Sequence, residues 1–334
     1  MKINSPIIIA EVGVNHNGSI KLLSSLIKKI SKTDVDFIKF QAFIASKTVI
    51  KKSPKAKYQK KIKLSQYEML KKYQLSSKHF DLIHKKCKNN SLNPLFSVFD
   101  IESLFFLKKY KIKNIKIPSG EITNIPLLKQ IGKMKIKVFL STGMSSINEI
   151  QKALTTLIKY GTSRRNIFIF HCHSDYPSRI SDLNLLNILS FKKKFKCKIG
   201  FSDHSVGELA SIVAVSLGAE VIEKHVTLSN KLNGPDHSSS LEVKSLNNFV
   251  KNIRSVKKSL GNIKLKRSIA ENQNKKIVRK SIVAKKKIKK GELFSENNLT
   301  CKRPGVGVSP YFYEKIIGKK SKFNFKADQL IRLK

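Results

Sequence analysis

Short apolar runs alternate with amphipathic stretches from the first residues to about residue 260. The runs at 7–15, 36–43, 94–100, 114–120, 137–143, 167–174, 198–205 and 221–228 read as buried strands whose last residues turn polar. Helical spacing fills 19–32, 78–89, 101–111, 125–134, 145–160 and 206–219, the last with apolar positions at Leu209, Ile212, Val213, Val215 and Leu217. The segment 243–260 closes the pattern with Leu246, Phe249, Val250, Ile253 and Val256 on one face. Eight βα units over roughly 250 residues predict an α/β fold, the TIM (β/α)8 barrel. An open doubly wound sheet would more often have five or six strands and a Gly-rich first turn, which is absent.

Beyond the barrel the pattern changes. Residues 261–276 are polar, and from Ile277 short strand-and-turn pieces follow, with Cys301-Lys-Arg-Pro-Gly-Val-Gly307 as a Pro/Gly loop. The expected division is a barrel at 1–262, a linker at 263–276 and a small β-rich domain at 277–334.

Composition narrows the class. Hydrophobic residues make up 40% of the 334 positions, which is ordinary for a globular chain. No apolar run approaches the ~20 residues of a membrane-spanning helix, and the N-terminus leads into a strand without a signal-peptide profile. Four scattered cysteines show neither CxxC nor secreted spacing, so they read as reduced thiols of a cytoplasmic protein. The net charge of +45 is the loudest feature. Its lysines are spread over nearly every helix and form no arm or stripe, and no nucleic-acid-binding pattern accompanies them, so no nucleic acid partner is expected. The densest run, 51–63, reads as a solvated loop.

The candidate chemistry lies at the C-terminal strand ends, where a barrel enzyme keeps it. These ends carry Glu11-Val-Gly-Val-Asn-His-Asn-Gly18, Lys39-Phe-Gln41, Lys116-Ile-Pro-Ser-Gly-Glu121 and Ser141-Thr-Gly-Met144. The later strands add His171-Cys-His-Ser-Asp-Tyr-Pro177, Gly200-Phe-Ser-Asp-His204 and Glu223-Lys-His225. His204 and His225 end adjacent strands of one βα unit, so they can share a divalent metal. Two inward lysines beside serines suit a phosphate- or carboxylate-bearing ligand.

In this order the motifs resemble those of the bacterial sialic acid synthases, the N-acetylneuraminate and N,N'-diacetyllegionaminate synthases, along essentially the whole chain. Lys55-Ala-Lys-Tyr-Gln59 and Gly234-Pro-Asp-His237 add to the likeness, and Lys289-Lys-Gly-Glu292 with Lys302-Arg-Pro-Gly305 resembles the family's antifreeze-like (SAF, β-clip) domain. The resemblance implies condensation of phosphoenolpyruvate with the open-chain aldehyde of an N-acetylated amino sugar, with phosphate lost by C–O cleavage. The expected acceptor is N-acetylmannosamine, giving N-acetylneuraminate; the alternative is 2,4-diacetamido-2,4,6-trideoxymannose, giving N,N'-diacetyllegionaminate. It implies manganese or magnesium on His204 and His225. Phosphoenolpyruvate contacts carry over to Lys39, Gln41, Lys116, Ser119, Ser141 and Ser202. Sugar contacts carry over to Tyr176, Asp236 and Arg303, and to Glu11 and Glu223, the expected catalytic carboxylates. Arg303 would reach the partner subunit's barrel, which implies a domain-swapped homodimer. The chain departs from the family pattern at Phe96-Ser-Val-Phe-Asp100, which lacks a threonine, and at His173-Ser-Asp and Ser178-Arg179.

Overall fold

All the expected strands form, each parallel to the next: β1 (Ile7–Gly13), β2 (Phe37–Ala42), β3 (Pro94–Val98), β4 (Asn114–Ile117), β5 (Lys137–Ser141), β6 (Ile167–Cys172), β7 (Lys198–Asp203) and β8 (Val221–Thr227). Pairing of β1 with β8 closes the sheet into a barrel, with Ile7 opposite Val221 and Glu11 opposite His225. A short ninth strand, β9 (Leu241–Glu242), lies on the end of β8. This computed structural model describes residues 5–55, 64–261 and 264–333. Residues 56–59 of the Lys55–Gln59 motif, and much of the 51–63 run, lie outside the described residues.

The strands stop short of their expected ends for a local reason. At β4, Pro118 has no N–H to give a neighbouring strand, and Ser119–Glu121 curl into a single 3-10 turn. The polar strand ends are thereby released from the ladder and become mouth loops.

The helices cover the barrel as amphipathic faces. Ile147–Lys159 is typical: Ser146 and Glu149 form a capping box, and Ile150, Ala153, Leu154 and Leu157 are buried at helical spacing. Each such Leu or Ile contributes roughly 1.5–3 kcal/mol by burial. The 206–219 segment departs from expectation. Only Leu209–Ser216 is helical, and its buried residues are Ala210, Ser211, Ala214 and Val215. Leu209 is 59% exposed, although its apolar character suggested a core position. The helix is rotated by a polar anchor, because Ser211 Oγ donates at 2.6 Å to the buried carboxylate of Asp203.

Inside the barrel, Ile9, Leu95, Phe139, Phe168, Phe170 and Val221 form a separate apolar floor. Phe139 packs edge-on against Phe170 with ring centroids 5.8 Å apart. Gly200 makes room for that floor, since a Cβ there would lie 2.8 Å from the Phe170 ring.

Two units are distinguishable, Met1–Gly261 and Asn262–Lys334. The stretch expected as a polar linker contains most of a helix, Ile269–Val278. Ser268 and Glu271 form a capping box at its start, and none of its residues is buried. Local capping, not an apolar face, therefore makes this helix. The second unit also pairs β10 (Ser281–Ala284) with β11 (Leu299–Lys302) antiparallel. Its own small core gathers Ile282, Ile288, Phe294, Leu299, Ile316, Phe325 and Ile331.

Candidate active site

Side-chain alternation along the strands sorts this site. Two residues beyond Ile9, Phe37, Phe139, Gly200 and Val221, the same inward faces carry Glu11, Lys39, Ser141, Ser202 and Glu223, with Lys116 on β4 beside them; all six are at most 5% exposed. They line the base of a cavity of about 380 Å³ at the C-terminal ends of the strands. That size is within the range of small-molecule sites.

Glu223 is the hub of the charged layer. Lys39 Nζ donates to its Oε1 at 2.8 Å, and Lys116 Nζ donates to its Oε2 at 2.7 Å. Ser202 Oγ donates to the same carboxylate at 3.0 Å. Lys116 also rests on the Phe170 ring, 3.9 Å from its centroid, which ties the charged layer to the floor. Burial alone would raise the Glu223 carboxyl, but Lys116 and Lys39 outweigh it and hold it well below the usual carboxylate range. Glu11 behaves differently. Its carboxylate stands 3.2 Å from Lys39 Nζ, and neither oxygen has a hydrogen-bond partner among the described residues. Burial pushes its pKa up to about 7, against the pull of Lys39 and with the help of the Glu223 charge. With Glu223 ionised and Glu11 able to hold a proton near neutrality, the two lysines leave the layer net positive and receptive to an anion.

The expected residues on the serine side are also gathered here. Ser119 lies on the cavity wall, where its Oγ accepts from the Gly143 N–H at 3.0 Å. Gln41 and Ser141 line the same wall.

His204 and His225 meet across the β7–β8 seam, with ring centroids 5.6 Å apart. The Nδ1 of His204 lies 2.6 Å from the carbonyl oxygen of His173 and so carries the proton. Its Nε2 is left as an acceptor, 3.1 Å from the Tyr176 hydroxyl. This is how a second contact presents an imidazole lone pair to a ligand. His225 Nδ1 is buried without a hydrogen-bond partner among the described residues, 3.9 Å from Asp236 Oδ2. Burial lowers both pKa values, that of His204 to about 4 and that of His225 well below the ordinary value. Both rings are thus neutral, as metal ligands must be. Among the described residues no group of three or more His, Cys, Asp or Glu side chains is arranged to hold a metal ion by itself. Two neutral imidazoles at adjacent strand ends are a donor set that fits a divalent ion.

Gly13 (φ +53°) lets β1 pass the His225 ring, where a Cβ would approach to 3.1 Å. Tyr176 and Asp236 line the cavity too, and burial pushes the Asp236 carboxyl up to about 7. Arg303 belongs to the second unit, where it is exposed on the loop after β11. His171 faces away from the mouth: its Nε2 lies 2.6 Å from the Leu183 carbonyl oxygen.

Two features escaped the sequence reading. Behind the histidines, Lys224 Nζ pairs with Asp203 Oδ2 at 3.0 Å, fully buried, clasping β7 to β8. Alternation gives the signal, because neighbours of mouth-facing residues must face the helices. The second is the helix Gln66–Tyr73, whose Gln66, Met69, Leu70 and Tyr73 all line the cavity. Their i, i+3, i+4, i+7 spacing was readable, but the lysine-rich surroundings masked it.

The NeuB family model matches residues 26–265, and the SAF domain model matches 279–334. The chain is 46% identical to the N,N'-diacetyllegionaminic acid synthase of Campylobacter jejuni, over 98% of each chain. It is 37% identical to the enzyme of that name from Legionella pneumophila, over 96% of this chain and 91% of the other. Among solved structures, the N-acetylneuraminic acid synthetase of Leptospira borgpetersenii superposes with a TM-score of 0.71 at 31% identity, covering 81% of this chain and 90% of that one.

Proposed function

This chain belongs to the NeuB family, and we propose that it condenses phosphoenolpyruvate with the open-chain form of 2,4-diacetamido-2,4,6-trideoxymannose to give N,N'-diacetyllegionaminate and phosphate. Membership makes it a phosphoenolpyruvate-dependent nonulosonate synthase; the choice of acceptor is the finer reading. The observation that carries that choice is the 46% identity, nearly end to end, to a legionaminate synthase. This reading puts first the acceptor that the sequence analysis gives as the alternative to N-acetylmannosamine. The likeness to a sialic acid synthetase at 31% supports the fold and reaction class more than that acceptor.

The geometry suits the chemistry. Phosphoenolpyruvate is a multiply charged anion, and Lys39 with Lys116 offers it two cations already held in place by Glu223. Such preorganisation spares the reorganisation that free lysines would need. Ser119, Ser141 and Ser202 add hydroxyls around the same floor. Carbon 3 of the enol then attacks the aldehyde carbon, and carbon 2 gains oxocarbenium character. Water adds at carbon 2, and the C–O bond to phosphate breaks, leaving a ketone and inorganic phosphate. Glu11 is our candidate for the group that steadies the cation and takes the proton from water, because its carboxyl changes state near neutrality. His204 and His225 would hold a divalent manganese or magnesium ion, which when bound polarises the aldehyde oxygen. Tyr176 and Asp236 stand where the acceptor would enter.

Phosphate release scored against a panel of aldehyde sugars tests the proposal. The diacetamido sugar should give the highest kcat/KM; a preference for N-acetylmannosamine would restore the other acceptor. Chelation should abolish turnover and added manganese restore it, with the fold intact by circular dichroism; full turnover in metal-free buffer would remove the metal. We also propose that Arg303 acts in trans within a domain-swapped homodimer. Inactive Arg303→Ala and His204→Ala proteins should then recover activity when their subunits are exchanged. A mixture that stays inactive after proven exchange would strike Arg303 from the site.

A further inference from the structure

We propose that the helix Gln66–Tyr73 carries a subsite that reads the acetamido group on carbon 4 of the acceptor. Gln66 is its hydrogen-bonding element, and Phe43, Phe99 and Met69 receive the methyl. The inference rests on the reading of this cavity as a nonulosonate synthase site, and it adds the residue that selects between acceptors.

The argument begins with the helix. Ser65 caps it in a capping box with Glu68, so Gln66 is its first residue and faces the cavity with Met69, Leu70 and Tyr73. Met69 and Tyr73 are buried, and they cluster with Val14 and Phe43, with Phe99 packed against them. Phe43 and Phe99 meet edge to face at 5.8 Å. One side of the mouth is therefore a neutral, largely apolar wall, opposite in character to the lysine–carboxylate layer below it.

Gln66 breaks that wall's chemistry. Its Oε1 is buried and has no hydrogen-bond partner among the described residues. Leaving such an atom unpaired is costly, because it has given up water without gaining a partner, and neighbouring polar groups avoid the cost. The Gln74 Oε1, just past the same helix, accepts from the Ala45 N–H at 2.9 Å. The Thr48 hydroxyl donates to the Ile44 carbonyl at 2.9 Å. Gln66 alone of these three is left for a ligand.

An unpaired amide beside aromatic and thioether surface has a specific complement. A hydroxyl would pair with the amide but leave the apolar wall uncovered. A methyl would cover the wall but leave the amide unpaired. An acetamido group does both, and because it presents both a donor and an acceptor it suits either orientation of the Gln66 amide. Position along the sugar follows from the reaction. The aldehyde carbon must lie near His204 and His225 on β7 and β8, and carbon 2 is bonded to it. The wall stands on the β1, β2 and β3 side, so it meets the chain further along, at carbon 4.

The test uses the full-length protein and two acceptors that differ only at carbon 4: 2,4-diacetamido-2,4,6-trideoxymannose and 2-acetamido-2,6-dideoxymannose. The parent should prefer the diacetamido sugar in kcat/KM, and Gln66→Leu should lower that preference at least tenfold. The second acceptor, whose carbon 4 hydroxyl leaves the apolar wall uncovered and so is held only weakly at Gln66, should change less than threefold, and so should the KM for phosphoenolpyruvate. Gln66→Met, which keeps the side chain unbranched, should behave alike and guards against misfolding of the first variant. An unchanged preference in the folded variants, or an equal fall for both acceptors, overturns the subsite while leaving the synthase reading intact. Absence of acceptor-dependent phosphate release by the parent overturns the synthase reading, and the subsite with it.

Discussion

The floor and the mouth of this barrel are built from the same strands, two residues apart. On β1 the inward face runs from Ile9 to Glu11, on β5 from Phe139 to Ser141, and on β8 from Val221 to Glu223. Both layers are almost fully buried. Below, burial is favourable by itself, and the rings need only fit. Above, burial of each charge is costly and is offset only by a partner in register. The contrast teaches that floor residues are replaceable in chemistry but not in volume. Mouth residues are replaceable in volume but not in charge.

The largest expected effect is on the floor. Phe139→Ala should lower the unfolding free energy by roughly 3–5 kcal/mol, measured by urea denaturation, because the ring packs on Phe168 and Phe170. The KM for phosphoenolpyruvate of the folded fraction should stay within about twofold. A tenfold change would show that the layers are not separable, and the Lys116 contact with Phe170 is where they would couple.

Next is the hub of the mouth. Glu223→Gln leaves two buried lysines facing a neutral amide, and breaking such a pair costs about 3 kcal/mol or more. Turnover should be lost. Added phosphoenolpyruvate should raise the Tm of this variant more than that of the parent, since the anion restores the missing charge. An equal or smaller rise would mean that the lysines do not receive the anion.

Smaller again are the lysines themselves. Lys39→Ala or Lys116→Ala should each cost about 1.5–3 kcal/mol in kcat/KM for phosphoenolpyruvate, roughly 10- to 150-fold. The KM of the sugar should move less. Equal losses for both substrates would argue for a general disturbance of the mouth.

Legibility followed the range over which each feature is encoded. The strands and most helices were readable because periodicity is local, and the mouth residues because they follow the apolar runs directly. The role of Glu223 was not readable as a clamp. Its partners Lys116 and Lys39 are 107 and 184 positions away, and nothing local announces the pairing. The 269–278 helix was missed because it buries nothing and rests on its Ser268–Glu271 cap. Leu209 departs from its expected core position because Asp203 draws a different face of the helix inward through Ser211. Gln66 was passed over because a polar residue next to a lysine-rich run reads as surface until the wall it interrupts is seen.

The central claim is that the mouth binds phosphoenolpyruvate and releases its phosphate by C–O cleavage as the new carbon–carbon bond forms. Phosphoenolpyruvate carrying oxygen-18 at the bridging position tests it directly, with mass spectrometry of both products. The label should appear wholly in inorganic phosphate, and only when the aldehyde sugar is present. Label retained in the keto acid, or phosphate released without the sugar, would contradict the account.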